Sequence, residues 1–255
     1  MKNIWAICKK EVKTYFTSPI AYVLITVFLV LVGFFFYSLV WWFNNYSFQA
    51  ARDPAYLQQL NINQMVFSPL FHNISIILLL TIPLLTMRLF AEEKKRQTDE
   101  LLYTSPISVN QIIIGKYAAS LFVLLVMLLL TGILSILTFA YGNPEFVPIL
   151  NGYLGLFLMG AAFIAVGIFF SSLTENQVVA AMLTFGALLL FWILNWAAGS
   201  ASGMWTDVLN YLSFFQHFDD LTRGILDTTD IVYYASFSFF GLFLAHSVIQ
   251  SRRWR

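Results

Sequence analysis

The sequence predicts an all-α membrane protein with six transmembrane helices, and two observations support this fold class. Hydrophobic residues make up 59% of the chain and charged residues only 11%, whereas soluble domains carry about 25% charged residues. Apolar runs of roughly 20 residues, enough to cross a hydrocarbon core, also recur along the chain. These runs are continuous rather than alternating, which favours a helical bundle over a β-barrel. We expect residues 1–255 to form one transmembrane domain.

Residues 1–17 predict an amphipathic helix in the membrane interface. Four residues at helical spacing form its apolar stripe: Ile4, Cys8, Val12 and Tyr15. Glu11 borders that stripe and is unfavourable for it, and a disordered basic tail is the alternative. Ser18 and Pro19 end the segment. No A-x-A-like cleavage site follows the first apolar run, so we expect that run to stay as a span.

Six apolar runs are long enough to cross a membrane. They give spans 1 to 6 at residues 20–43, 68–88, 117–141, 149–170, 177–198 and 231–249. Residues 199–230 form a loop on the outer side. Within this loop, residues 211–218 are too apolar for solvent and too short to cross, so they either lie in the interface or re-enter the membrane.

The distribution of basic residues predicts the orientation. With the amino terminus inside, twelve of the fourteen lysines and arginines fall on the cytoplasmic side, and only Arg52 and Arg223 fall outside. Cytoplasmic loops carry an excess of such residues. We therefore predict a multi-pass protein of the inner (cell) membrane with both termini in the cytoplasm.

A polar segment, residues 91–116, interrupts the apolar sequence between spans 2 and 3. Phe90 and Leu101 share one helical face, and Glu92 and Arg96 are in i, i+4 register, which predicts an amphipathic helix over 91–105. Pro106 ends it, and Ser108 with Gln111 forms a capping box for the next helix. A solvated loop with balanced charge is the alternative.

This segment resembles the loop between spans 2 and 3 in permease subunits of ABC-2-type ABC transporters. The matching residues are Glu92, Glu93, Thr98, Glu100, Leu101, Leu102, Ser105, Pro106, Ile107, Ser108, Gly115 and Lys116. The chain departs from the pattern at Gln97, where the family has a glycine that makes a tight turn. Residues 167–177 and 211–234 are most similar to the branch of gliding-motility-associated and copper-enzyme-maturation permeases.

The resemblance implies a half-transporter, most often an exporter, that pairs with a second permease subunit, identical or different. Two separate ABC ATPase subunits would bind the 91–105 coupling helix and would hold ATP and Mg, with no cofactor on this chain. An accessory extracytoplasmic protein is a further expected partner. The residues expected to contact the ATPase subunit are Glu92, Glu93, Arg96, Thr98, Glu100 and Leu101.

The residues themselves give little support to an enzyme. Gly115-Lys116 lacks the earlier glycine and the following Ser or Thr of a phosphate-binding loop, and neither H-E-x-x-H nor G-x-S-x-G is present. His217, Asp219 and Asp220 have no recognised metal-ligand spacing. A net charge of +1 predicts no nucleic-acid surface.

Two other classes of function stay open. An ion-gradient-driven secondary transporter would carry acidic groups or histidines at mid-membrane, and no Asp or Glu lies inside a predicted span. A membrane scaffold for a soluble complex is compatible with the same spans. The sequence does not indicate the transported substrate.

Overall fold

The computed structural model describes residues 2–52, 60–98, 107–200 and 204–253. These residues contain helices and no strands, and six of the helices are long and apolar enough to cross a membrane. The predicted class, an all-α membrane protein with six spans, is confirmed for this part of the chain.

The described residues form the following helices in chain order. Their bounds are α1 Lys2–Thr17, α2 Pro19–Ala50, α3 Ser68–Thr86, α4 Arg88–Lys95, α5 Val109–Tyr141, α6 Phe146–Leu173, α7 Gln177–Ser200, α8 Met204–Leu212, α9 Phe214–Thr222 and α10 Thr228–Arg253. Helices α2, α3, α5, α6, α7 and α10 correspond to spans 1 to 6. A π-helical turn, Asn63–Phe67, leads into α3.

Several helices extend beyond the apolar runs that predicted them. Helix α2 continues to Ala50 instead of ending near Phe43, and α5 begins at Val109 instead of 117. Backbone hydrogen bonds can continue a helix beyond an apolar run, whatever the polarity of its side chains. At the start of α5, the Ser108 and Gln111 capping box is present as predicted.

The core of the bundle is formed by α3 and α6. In each of these two spans 72% of the most apolar 18-residue stretch is buried within the protein, whereas the share is 22% in α2 and 17% in α7. Helix α6 approaches α3 closely at Gly167, where a Cβ would lie 2.1 Å from the Thr86 Oγ1 atom. Small residues allow such backbone contact between membrane helices.

Residues 199–230 do not form an extended loop where the structure describes them. Helices α8 and α9 meet at Ser213, and α9 packs on α6 with Phe214 and Phe218 buried. Two tyrosine hydroxyls of α10 hold the junction, because Tyr233 donates to the Leu212 carbonyl (2.8 Å) and Tyr234 to the Phe214 carbonyl (2.7 Å). The part of this apolar segment in α9 is therefore packed against the spans, whereas Tyr211 and Leu212 are exposed.

The polar residues of this segment pair with each other. His217 Nδ1 lies 2.7 Å from Asp230 Oδ1, and its Nε2 lies 3.1 Å from the Tyr211 carbonyl oxygen. Asp219 pairs instead with Arg223, at 2.6 Å. Among the described residues, no group of three or more His, Cys, Asp or Glu side chains is arranged to hold a metal ion.

Adding one methyl group at Gly167 tests the α3–α6 contact. We expect Gly167→Ala to lower the stability of the detergent-solubilised protein by about 1–3 kcal/mol, because the new Cβ overlaps Thr86. Gly186→Ala is the matched control, since no atom lies within 4 Å of its Cβ position. Thermal unfolding measures both, and equal melting temperatures for the two variants would contradict this packing.

Candidate coupling site

The end of the bundle that carries α1, called here the α1 end, contains a buried lysine between two carboxylates. The Lys116 Nζ atom lies 3.0 Å from Glu11 Oε1 and 2.9 Å from Glu93 Oε1. It also donates to the Leu89 carbonyl at 2.7 Å and lies 5.0 Å from the centre of the Phe90 ring. The Lys116 side chain is 2% exposed. Three separate parts of the chain, α1, α4 and α5, therefore meet at one cation.

Because this cluster is buried, its charges must be paired with each other. A charged group taken out of water costs several kcal/mol unless it is paired and hydrogen-bonded. Two carboxylates around one ammonium leave a net negative charge, and Lys10 supplies a second cation, 3.6 Å from Glu93 and 3.9 Å from Glu11. Lys10 is largely exposed, so its own pairs contribute little. Lys116 is the group on which the cluster depends.

Helix α1 packs against the first turns of α5 along most of the length of α1. At Gly115 a Cβ would lie 2.8 Å from the Ile7 Cβ atom, so only a glycine lets the two helices approach this closely. Asn3 donates to Gln111 near one end of α1, at 3.4 Å. Near the other end the buried Tyr15 hydroxyl donates to the Leu85 carbonyl, at 3.0 Å, and burial raises the pKa of this hydroxyl.

The start of α4 is fixed by a serine of α6. The Ser171 hydroxyl accepts from the backbone N–H groups of Phe90 (3.1 Å) and Ala91 (3.3 Å) and donates to the Met87 carbonyl (3.0 Å). A hydroxyl has one donor and two acceptor positions, and all three are used here. Further along α4, the buried Lys94 ammonium donates to the Ser172 carbonyl. Helix α4 is thus attached to span 4 as well as to α1 and α5.

Helix α4 ends in a tight turn at Gln97. This residue has φ +56°, in the left-handed region that favours glycine. The Thr98 N–H donates to the Glu93 carbonyl and the Gln97 N–H to the Lys94 carbonyl, which is the Schellman arrangement. The turn expected from a glycine at this position therefore forms with a glutamine in its place.

The helix predicted over 91–105 is different in the structure. It begins at Arg88 and ends at Lys95, so one continuous helix does not run through residues 91–105. The reason is the left-handed residue at Gln97, which ends the helix although the amphipathic pattern continues. Residues 99–106, with Glu100 and Leu101, lie outside the described residues.

The other predicted contact residues divide into two groups. Glu92 and Arg96 form an ion pair of 2.6 Å on the outer face of α4, where Arg96 is 70% exposed. Thr98 is exposed in the turn and its hydroxyl donates to the Glu93 carbonyl. Glu93 is different because its carboxylate faces inward, to Lys116.

Sequence reasoning missed Glu11, Lys116 and Ser171 as parts of this site. Lys116 was recognised only as the last residue of a motif, and Glu11 only as a flaw in an apolar stripe. Glu11 is 8% exposed and lies on the buried face of α1. Two features could have indicated the Glu11–Lys116 pair. Glu11 is a single acid on the apolar face of one helix, and Lys116 is a single lysine at the start of an apolar span.

The fold and this site define a multi-pass membrane protein whose polar surface helix is built into the bundle. The family model for ABC-2 family transporter protein matches residues 5–250, so the chain belongs to this family. It is therefore a membrane permease component of the ABC transporter class. No curated protein matches the chain.

Replacing the buried cation tests the cluster. We expect Lys116→Met to destabilise the protein by about 3–5 kcal/mol, because it leaves the Glu11 and Glu93 carboxylates buried without their main partner. The control Lys10→Met should cost no more than about 1 kcal/mol, since Lys10 is exposed. Thermal unfolding in detergent measures both.

A compensated variant separates charge from packing. Lys116→Met combined with Glu11→Gln and Glu93→Gln removes every charge at the centre of the cluster, and we expect it to recover much of the stability lost by Lys116→Met alone. If the combined variant is as unstable as the single one, the ion pairs are not what holds these elements together.

Glycine substitutions at Gln97 and at a nearby residue of α4 should change the stability of the protein in opposite directions. Gln97→Gly should stabilise the protein by roughly 1 kcal/mol, because it removes left-handed strain. Lys95→Gly, at the last residue of α4, should cost up to about 0.5–1 kcal/mol, because glycine is unfavourable in a helix. Changes of the same sign in thermal unfolding would be inconsistent with the turn.

Proposed function

We propose that this chain is the membrane subunit of an ATP-driven exporter and that a separate ATPase subunit binds it at α4 and the turn that follows. The observation that carries the proposal is the placement of α4. Its inner face is joined to α1, α5 and α6 by Lys116 and Ser171, while Glu92 and Arg96 remain on its outer face. A partner on this surface would move three membrane-contacting elements together.

The proposal assigns different roles to the predicted residues. Glu92, Arg96 and Thr98 are proposed to touch the ATPase subunit, and Glu100 and Leu101 stay proposed contacts of the same surface. Glu93 acts as a positioning residue, because its bond to Lys116 fixes the face that α4 presents. The ATPase subunit would hold ATP and Mg, and this chain would supply no cofactor.

Charge supports a cytoplasmic location for the α1 end. Helices α1 and α4 meet through Lys116, so Lys9, Lys10, Lys13 and Lys95 lie at the same end of the bundle. Basic residues are enriched on the cytoplasmic side of membrane proteins. We therefore propose an inner-membrane protein with both termini in the cytoplasm.

The transporter is proposed to contain a second permease subunit, either identical or different. In spans α2, α7 and α10 only 17–22% of the most apolar 18-residue stretch is buried within this chain. The three spans therefore have broad apolar faces that lipid or another subunit can cover. Residues 167–177 and 211–234 favour the branch that contains gliding-motility-associated and copper-enzyme-maturation permeases. An accessory protein on the outer side fits the same proposal.

A charge swap on α4 tests the proposed contact. In Glu92→Arg with Arg96→Glu the i, i+4 pair is retained, so we expect unchanged insertion and thermal stability. The pattern of charge shown to a partner is reversed, so the ATPase subunit should bind at least about tenfold more weakly. Copurification of the tagged chain from its native membrane and ATP hydrolysis by the complex are the measurements.

The control is Lys13→Glu, which reverses an exposed charge on α1 and should leave binding and hydrolysis as in the wild type. A swapped variant that copurifies with a fully active ATPase subunit would show that α4 is not the contact. A wild-type chain that copurifies with no ATPase subunit would refute the proposed function itself.

A further inference from the structure

A crevice separates α5 from α10 near the α1 end of the bundle. Its volume is about 370 Å³, within the range of sites that bind small molecules. The walls are two helical stripes of residues, Asn110 and Ile114 on α5 and Phe239, Leu242, Phe243 and His246 on α10. This crevice is not used by the coupling site, and its interpretation rests on the proposed cytoplasmic location of the α1 end but not on the proposed ATPase contact.

Helices α5 and α10 contact each other. Where the crevice separates them, Phe243 and Ile114 remain 55% and 45% exposed. Both helices are membrane spans, so the open side of the crevice faces the hydrocarbon of the bilayer.

The crevice has a polar end and an apolar end. Asn110 lies in the first turn of α5, and His246 lies about two turns before the end of the antiparallel helix α10. Both polar residues are therefore at the membrane surface, where an amide and an imidazole can donate hydrogen bonds. The rest of the wall is aliphatic and aromatic. This is the polarity of a phospholipid, with a head group at one end and a chain at the other.

A basic residue lies beside the polar end. The Asn3 amide donates to Gln111, which brings the start of α1 and the exposed Lys2 beside the first turn of α5. Cations close to the cytoplasmic membrane surface attract anionic lipids. The charge of Lys2 is complementary to a phosphate-bearing head group.

We infer that the α5–α10 crevice binds one chain of an anionic phospholipid, with its head group at Asn110 and His246. The apolar walls exclude water and hold the chain, whereas the polar end and the neighbouring Lys2 select the head group. The site lies on the first turns of α5, the helix that also carries Lys116 on another face.

Lipid retention tests this inference. The protein is reconstituted in vesicles of equal phosphatidylglycerol and phosphatidylcholine, extracted in mild detergent, and examined by native mass spectrometry. We expect the wild type to retain phosphatidylglycerol in preference to phosphatidylcholine. Ile114→Trp fills the crevice and should abolish retention, whereas Leu129→Trp, at a 66% exposed position elsewhere on α5, should retain the lipid.

A second variant tests the head-group end. Asn110→Leu with His246→Leu keeps the apolar walls, so it should retain lipid but lose the preference for phosphatidylglycerol. Unchanged thermal unfolding shows that each variant is folded.

Three results would overturn the inference. The first is equal retention of both lipids by the wild type, and the second is undiminished retention by Ile114→Trp. The third is a wild type that retains no lipid but forms a dimer that Ile114→Trp dissociates, which would assign the crevice to a second copy of this chain.

Discussion

One buried ammonium group organises the α1 end of this protein. Lys116 comes from the start of α5, and its two carboxylate partners come from α1 and α4. None of the three charges can be buried alone without a cost of several kcal/mol, so the three elements dock together or not at all. Helix α4 is consequently part of the packed structure, although its sequence is among the most polar in the chain.

The consequence for an ABC-2 family protein is mechanical. A partner can shift a conformational equilibrium only through different binding to the two states. A partner that displaces α4 would also displace α1 and α5, which Lys116 joins to α4. It would displace α6 as well, which the Ser171 hydroxyl joins to α4. Since α6 is one of the two most buried spans, displacement of α4 acts on the core of the bundle. A short helix with three attached neighbours is suited to this role, whereas a solvated loop is not.

Features that depend on local sequence patterns can be predicted from the sequence, whereas contacts between residues distant in the chain cannot. Six spans and the Ser108 capping box follow from apolar runs and from residues three apart. The Glu11–Lys116 pair joins residues 105 positions apart, and each residue has an ordinary local interpretation. Nothing in the local sequence around Ser171 indicates a hydroxyl that bonds three backbone groups. The end of α4 was misplaced because glutamine seldom adopts the left-handed conformation that Gln97 has.

The central claim is that α1 and α4 move as one unit, and a distance between them during turnover tests it most directly. Spin labels at the exposed positions Lys13 and Lys95, in a Cys8→Ala background, report this distance by double electron–electron resonance. In the complex with the proposed ATPase subunit, we expect one narrow distance distribution that is unchanged between the nucleotide-free and the ATP-bound states, and a broad one when Lys116→Met is added. A distance that changes with nucleotide while Lys116 is intact would contradict the account.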